Sequence, residues 1–382
     1  MLNKLNVNVL RGLNKIGENL IEVTSDNTSI LLEYGISLES TLESKNIEEY
    51  VVNKYYDAVI ITHYHLDHSG LLKINANTNK IYIGEKTYKI LEYNNCISDN
   101  NINKISFLEN EKEFYTGDIR VKPYLCDHSA IDSYMIELSK NNEIILYTGD
   151  YRANGRKNFN LLLNKLPSNI DLLIMEHTNR NLLNKTEKYI ENEAFEIMKK
   201  YKKIFILQST LNIDRLVSFY KASKKSKKKF FMKKSQSDIC SFFDRIPNLI
   251  SFQDCFTYLD HGCSAAEHEK IKDKYGKKLL SKNEISKLGT YVMCINSKMI
   301  NYIKMIINKN ENKDVALIYS MWNGYKENMR DFLTEINDLG IDTFNLHVSG
   351  HADITTINKL IGKTNPIEII TVHLDKNGGE ND

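Results

Sequence analysis

The chain has 382 residues, 42% hydrophobic and 26% charged, with a formal net charge of +2. That length suffices for two domains or one elaborated one, and the composition is that of an ordinary globular protein, which excludes disordered and disulfide-built classes. No apolar run approaches the ~18 residues of a membrane span, the N-terminus carries no signal-peptide pattern, and so small a net charge announces no global nucleic-acid-binding field. Six cysteines, at 96, 126, 240, 255, 263 and 294, form no CxxC pair. They read as reduced core thiols, which makes the cytoplasm the expected compartment.

Taken in order, residues 19–23 and 29–33 flank a polar turn and read as a hairpin. A loop and helix over 39–56 lead to a β-branched strand at 57–62. Short strands follow at 80–83, 104–108, 119–124, 133–138 and 144–148, with a helix near 85–94. A strand at 171–175 completes this first set. The pattern then becomes a βα alternation: helix 186–200, strand 204–207, helix 212–222, strand 230–232, strand 291–295, helix 297–308, strand 314–319 and helix 325–339. Strand 343–348, helix 353–361 and strand 367–372 close the chain, which as a whole is α/β with a second α/β domain between about 180 and 345.

The densest chemistry is Thr62-His63-Tyr64-His65-Leu66-Asp67-His68-Ser69-Gly70. Three of the ten histidines and a carboxylate fall within six residues. If the strand runs on through His65, its two-residue period sends His63 and His65 to the same side, while Asp67 and His68 fall in the turn that opens the next helix. Imidazole nitrogen and carboxylate oxygen are what a zinc-like divalent ion takes. Later polar residues stand at strand exits, where layered α/β proteins assemble sites: His128 in Cys126-Asp127-His128-Ser129, Asp150 in Tyr147-Thr148-Gly149-Asp150, and Glu176 after 171–175. His351 and His373 lie in loops near the end. This inventory matches what two ions about 3.5–4 Å apart require, with one carboxylate bridging.

His63-x-His65-x-Asp67-His68, the lone His128 and Thr148-Gly149-Asp150 resemble, in order and spacing, the motifs of the metallo-β-lactamase fold. Met175-Glu176-His177-Thr178-Asn179 resembles the acidic first motif of the β-CASP nucleases, a branch of that superfamily that includes RNase J. His347-Val348-Ser349-Gly350-His351-Ala352 resembles their second motif, and His373 their third. The resemblance implies a metallo-β-lactamase αββα sandwich (1–179, completed by a return segment 346–382) and an inserted β-CASP cap at 180–345. It implies two divalent ions, zinc first among them: His63, His65 and His128 on one, Asp67, His68 and His373 on the other, Asp150 between. It also implies a phosphodiesterase in which a metal-bridging hydroxide attacks in line while His351, oriented by Glu176, assists the leaving group. Nucleic acid is then the partner, RNA ahead of single-stranded DNA, with a homodimer as an option and no membrane.

The chain departs from the family in three places. Glu33 in Leu32-Glu33-Tyr34-Gly35 stands where the superfamily usually has Asp, and reads as support behind the ligands. The Ser-Gln-Gly stretch of the RNase J cap is replaced around Ser320-Met321-Trp322, and the chain is too short for RNase J's separate C-terminal domain. Ser349, Ser209 and Ser320 are the candidate substrate contacts. Asn212 or Thr210 as an ordinary helix cap explains the stretch around Ser209 equally well. Lys221 to Lys234 holds eight lysines and no acid, either a phosphate patch or a solvated face. Trp322 reads as a base-stacking residue or a buried anchor, and His261 and His268 read as surface groups. A hydrolase of small esters, lactones or thioesters, or a non-catalytic RNA-binding homologue, are the alternative readings.

Overall fold

The computed structural model describes residues 4–374 apart from 14, 16, 38–40, 180, 244–251, 261 and 308–311. His261 thus lies outside the described residues. Contacts divide the chain into two units, 1–184 with 349–380, and 185–348 with 381–382.

The first unit contains two sheets. β1 (Asn6–Arg11), β2 (Leu20–Thr24), β3 (Ser29–Leu32), β4 (Ala58–Ile60), β5 (Ile81–Gly84) and β6 (Ile105–Leu108) lie side by side in chain order. The β2–β3 pair is the antiparallel hairpin around residues 25–28, and β3 to β6 run parallel. β7 (Phe114–Thr116), β8 (Ile119–Cys126), β9 (Ser133–Lys140), β10 (Glu143–Tyr147) and β11 (Leu172–Glu176) form the second sheet. Apolar alternation turns one face of each sheet toward the other. Ile21, Val23, Ile30, Leu32 and Ile60 pack with Ile119, Val121, Ile136, Leu138, Ile145 and Ile174 in one core. The opposite face of the second sheet (Tyr124, Met135, Leu146, Leu173) is covered by helices Phe159–Lys165 and Ile354–Thr364. Beyond the first sheet, helices Leu42–Asn53 and Glu85–Tyr93 bury Val51, Ile90 and Leu91. The result is the αββα sandwich.

The second unit interrupts this chain. Its strands β12 (Lys203–Gln208), β13 (Lys229–Lys233), β14 (Phe256–Tyr258), β15 (Tyr291–Ile295), β16 (Val315–Ser320) and β17 (Asp342–Asn345) pair in the order β14-β13-β15-β12-β16-β17, every pair parallel. The inner strands β12, β15 and β16 are buried on both faces and accordingly read as continuous apolar runs, whereas the edge strand β17 is exposed. Phe205, Phe231, Met293 and Leu317 anchor one core with Ile303, Phe332 and Ile336. The chain then returns as β18 (Glu368–Val372), which pairs parallel with β11 at the edge of the second sheet.

Several boundaries differ from the sequence reading. β4 ends at Ile60 rather than carrying the histidine motif, because the backbone turns into helix Leu66–Ser69. The expected helices at 297–308 and 325–339 each open with a 3-10 segment, at Ser297–Met299 and Asn323–Met329. β1, β7, β14 and the helices Lys234–Ser241 and Ala265–Tyr275 were not legible from hydrophobic periodicity. Among the described residues no helix is long and apolar enough to cross a membrane, and the six cysteines carry free thiols. The lysine run is not one patch. Lys229 and Lys233 sit at opposite ends of β13, Lys224 pairs with Asp254 at 2.5 Å, Lys234 pairs with Asp238 at 2.8 Å, and Lys233 is buried against Thr210.

Candidate metal centre

The site lies within the first unit, beyond the carboxyl ends of β4, β8, β10, β11 and β18. Past β4, the irregular segment 61–65 leaves His63 fully buried and His65 partly exposed. Helix Leu66–Ser69 then carries Asp67 and His68 in its first turn. The turn after β10 delivers Asp150, and it needs Gly149: this residue has φ +51°, and a Cβ there would meet the Thr62 hydroxyl at 2.9 Å. His128 follows β8. His373 follows β18 in a left-handed conformation (φ 53°), rare for a residue with a Cβ.

Together with His351 these side chains form three groups, the third of which (Asp150, His351 and His373) shares a residue with each of the other two. His63, His65, His128 and Asp150 bring one ligand atom each to within 4.8 Å of one another, as do Asp67, His68 and His373. His63 Nε2 is 3.0 Å from His65 Nδ1, and His128 Nε2 is 3.2 Å from the same atom. Asp150 Oδ2 lies between the groups, 3.3 Å from His68 Nε2, 3.6 Å from His373 Nε2 and 3.7 Å from His128 Nε2. His373 Nε2 is also 3.2 Å from Asp67 Oδ2.

The outer contacts of each ring decide which nitrogen faces inward. His128 Nδ1 donates to the Gly350 carbonyl at 2.6 Å, a group that only accepts, so Nε2 is bare. Thr178 donates its hydroxyl proton to the His373 carbonyl (2.9 Å), so it accepts from His373 Nδ1 (2.8 Å) and turns Nε2 inward, toward Asp67 Oδ2. Thr62 donates to Glu33 (2.5 Å) and accepts in turn from His63 Nδ1 (3.0 Å). His68 Nδ1 faces Glu33 Oε1 at 3.1 Å, near enough for an ion pair although off the line of a hydrogen bond. Four imidazoles therefore present Nε2 to a common centre, and the buried Asp150 Oδ1 has no partner of its own. Four Nε2 atoms converging with carboxylate oxygens at these distances, with hydrogen bonds orienting the His63, His128 and His373 rings from behind, form a donor set that suits a divalent cation.

Electrostatics follow the same division. Burial lowers His63 and His128 well below the ordinary histidine value, with neighbouring imidazoles adding to the effect, and lowers His65 to about 4 against the pull of Asp67 and Asp150. Burial opposes charge on His68 too, but Asp150, Asp67 and Glu33 raise it well above the usual value. Burial alone would raise Asp67, yet His68 and His373 hold it low. Asp150 is held low by His373, His68 and His351 against the same burial.

Residues 19–175 match the family described as the metallo-beta-lactamase superfamily. Over those residues the chain is therefore similar to metallo-β-lactamase domains. It is 27% identical over 209 residues to the probable RNase MJ4 of Methanocaldococcus jannaschii, covering 49% of this chain and 48% of that protein. It is 25% identical over 248 residues to ribonuclease J of Mycoplasma genitalium, covering 60% and 43%. Each match thus spans less than half of the relative's length. A crystal structure of a protein of unknown function from Enterococcus faecalis V583 shares the fold (TM-score 0.77, 17% identity, 99% of this chain and 96% of that one).

Beside the metallo-β-lactamase cluster, Glu176 ends β11. Its Oε1 accepts from Ala352 N (3.0 Å), its Oε2 accepts from Thr178 N (3.1 Å), and its Oε1 lies 3.4 Å from His351 Nδ1. This fixed, fully buried carboxylate and Asp150 raise His351 to about 9, although burial alone would lower it. His351 Nδ1 is also 3.8 Å from Asp150 Oδ2, and its side chain remains 21% exposed. The three candidate serines diverge. Ser349 accepts from His351 N at 3.2 Å and shapes the turn. Ser320 is buried in the second unit, accepting from Arg215 (2.6 Å) and donating to the Leu346 carbonyl (2.5 Å), so the expected substrate contact gives way to an internal one. Ser209 is exposed, its hydroxyl 3.4 Å from Leu211 N, while Asn212 caps helix Ile213–Lys225. Trp322 is 39% exposed against Tyr325, not a buried anchor, and His268 is exposed.

Sequence reading missed the groups behind the ligands. Arg152, wholly buried, donates to Asp127 (2.8 Å) and to the Ser349 carbonyl (3.3 Å), which Asn154 Nδ2 also reaches at 3.3 Å. Asn19 Nδ2 lies 3.2 Å from His68 Nε2. Arg152 immediately follows the Gly149-Asp150-Tyr151 turn, a position that signals little until the return segment is seen against it.

Proposed function

We propose that this chain is a two-zinc phosphodiesterase that hydrolyses nucleic acid, RNA ahead of single-stranded DNA. The observation that carries the reading is the pairing of two inward-facing ligand groups, with Asp150 between them, and a Glu176–His351 pair at their rim whose imidazole also lies within reach of Asp150 and His373. His63, His65, His128 and Asp150 would hold one ion, and Asp67, His68, His373 and Asp150 the other. Bound there, divalent ions supply Lewis acidity toward a phosphoryl oxygen and a nucleophilic water near neutral pH.

The chain's own groups do the rest. Asp150 and Asp67 contribute the negative charge that balances the cations. Glu176 faces His351 Nδ1, which leaves Nε2 free to present a proton to the departing ribose oxygen, and the Glu176 carboxylate favours the protonated ring. The exposed edge formed by His65, Asp67 and His351 gives a phosphodiester access, whereas the remaining ligands are buried. The RNase names of the relatives support the same substrate class.

Cleavage of 5′- and 3′-labelled RNA by wild type, Asp67→Ala and His351→Ala tests the proposal. Expected are cleavage by wild type, none by Asp67→Ala and a large loss in His351→Ala. Zinc-loaded protein that leaves both RNA and single-stranded DNA intact would sink it, and turnover of small esters by such protein would redirect it to carboxylic substrates.

A further inference from the structure

The loop that carries His351 is held by three consecutive carbonyl oxygens, each gripped from a different part of the first unit. The Ser349 carbonyl accepts from Arg152 Nη1 and Asn154 Nδ2, both at 3.3 Å. The Gly350 carbonyl accepts from His128 Nδ1 at 2.6 Å, and the His351 carbonyl accepts from Asn184 Nδ2 at 2.8 Å. A carbonyl oxygen only accepts, so Asn184 must turn its NH₂ group toward His351. The backbone N–H of Asn184 donates in turn to Asp353 Oδ2 (3.1 Å), while Asp353 Oδ1 caps helix Ile354–Thr364 through Thr356 N (2.8 Å). Two more contacts join the same stretches: Asn179 bridges to Asp353, and Ile354 N donates to the Leu182 carbonyl at 3.3 Å. The segment that leaves β11 thus lies along the segment that returns, and His351 sits at the end of that junction.

We infer that Asn184 is a positioning residue: by holding the His351 carbonyl it sets where the imidazole meets the departing ribose oxygen, and so governs the rate of leaving-group departure; this rests on the phosphodiesterase reading above. In that step a hydroxide oxygen bonds to phosphorus and the bond from phosphorus to the ribose oxygen breaks. The ribose oxygen keeps the electron pair and takes the proton from His351 Nε2. A shift of about 1 Å in such a group can cost on the order of 10²-fold in rate. Of the ties on this loop, that of Asn184 can be cut most cleanly. His128 is one of the proposed ligands, and removing the wholly buried Arg152 would strand Asp127. Asn184 is half-buried, and the bonds described here run to the return segment.

The test compares wild type, Asn184→Asp, Asn184→Ala and His351→Ala as full-length, zinc-loaded proteins on two substrates. One is RNA, and the other is the same RNA with sulfur in place of the departing ribose oxygen, which leaves as a thiolate and needs no proton. Asn184→Asp keeps the size of the side chain but replaces the donating NH₂ with an accepting oxygen. Elemental analysis and circular dichroism check that each variant is loaded and folded. Expected on RNA is a fall in kcat of about 10–100-fold in Asn184→Asp, a smaller one in Asn184→Ala and the largest in His351→Ala, with KM unchanged in the Asn184 variants. On the sulfur-substituted RNA each deficit shrinks, and hydrogen exchange of the 350–353 amides quickens in Asn184→Asp. Wild-type kcat on RNA in Asn184→Asp, or an equal loss on both substrates, overturns the assignment. If wild type cleaves neither substrate, the phosphodiesterase reading fails, and the exchange measurement alone decides whether Asn184 holds the loop: unchanged protection in Asn184→Asp then overturns it.

Discussion

Two clusters of buried charge, one in each unit, differ in the way that matters for function. In the second unit, Arg215 and Glu187 are both fully buried. The guanidinium reaches both Glu187 oxygens (3.1 and 3.2 Å), the Ser320 hydroxyl (2.6 Å) and the Val348 carbonyl (2.8 Å), and Ser218 donates to Glu187 at 2.7 Å. Donors meet acceptors, and the cluster is closed. In the first unit, equally buried imidazoles turn acceptor nitrogens toward one another and toward Asp150, while their N–H groups are committed outward. Burial and charge are common to both clusters. Only the cluster in the first unit has acceptors left without donors, Asp150 Oδ1 among them, and that shortfall is what a cation supplies.

Substitutions can break this contrast from either side. The largest expected effect is on the open cluster: Asp67→Ala removes a ligand from the second group and takes RNA cleavage to background, with a matching loss of bound zinc measured by mass spectrometry. His351→Ala, which leaves His63, His65, His128, Asp67, His68, His373 and Asp150 in place to hold the ions, lowers the cleavage rate about 10²–10⁴-fold, the range of a lost general acid, and leaves zinc content intact. The closed cluster answers differently. Glu187→Ala strands a buried guanidinium and costs about 3–5 kcal/mol in urea unfolding, with zinc affinity unchanged.

Titration gives a finer test. His351 is raised from an unfolded value of about 6.5 to about 9. The stability it contributes is therefore complete below pH 6.5 and is lost as pH rises through 9. NMR titration of the metal-free protein should place its midpoint near 9 and find it lowered in Glu176→Gln, where the neighbouring charge is gone. The smallest effect belongs to the surface. Lys224→Gln breaks an exposed pair with Asp254 and should leave the thermal midpoint within measurement error.

What the sequence made legible follows from the distance over which each signal acts. The hairpin at β2–β3, the parallel strands of the second unit apart from β14 and the capped helix Glu187–Lys200 were readable because alternation, apolar runs and end-charges are local. The dense motif from His63 to His68 was readable for the same reason, and the resemblance extended it to His128, Asp150 and His373. The strand boundary at Ile60 was not, because a three-residue strand held by β3 and β5 has no periodicity to count. Arg152, Thr178 and Asn19 were invisible for a further reason. Each matters through a partner distant in sequence, such as Ser349 for Arg152 and His373 for Thr178, and nothing in their immediate neighbours marks them. Ser320 illustrates the reverse error. A hydroxyl at the end of a strand reads as available until Arg215 and Leu346 are found on either side of it.

The central claim is that acceptors left without donors around Asp150 form a site for two cations. Equilibrium dialysis of metal-free protein against buffered Zn²⁺, followed by elemental analysis, measures this directly. The account predicts two equivalents bound by wild type and a reduced stoichiometry in Asp150→Ala, which removes the bridge. A wild type that retains less than one equivalent at saturating Zn²⁺, or an Asp150→Ala variant that binds as much as wild type, would contradict it.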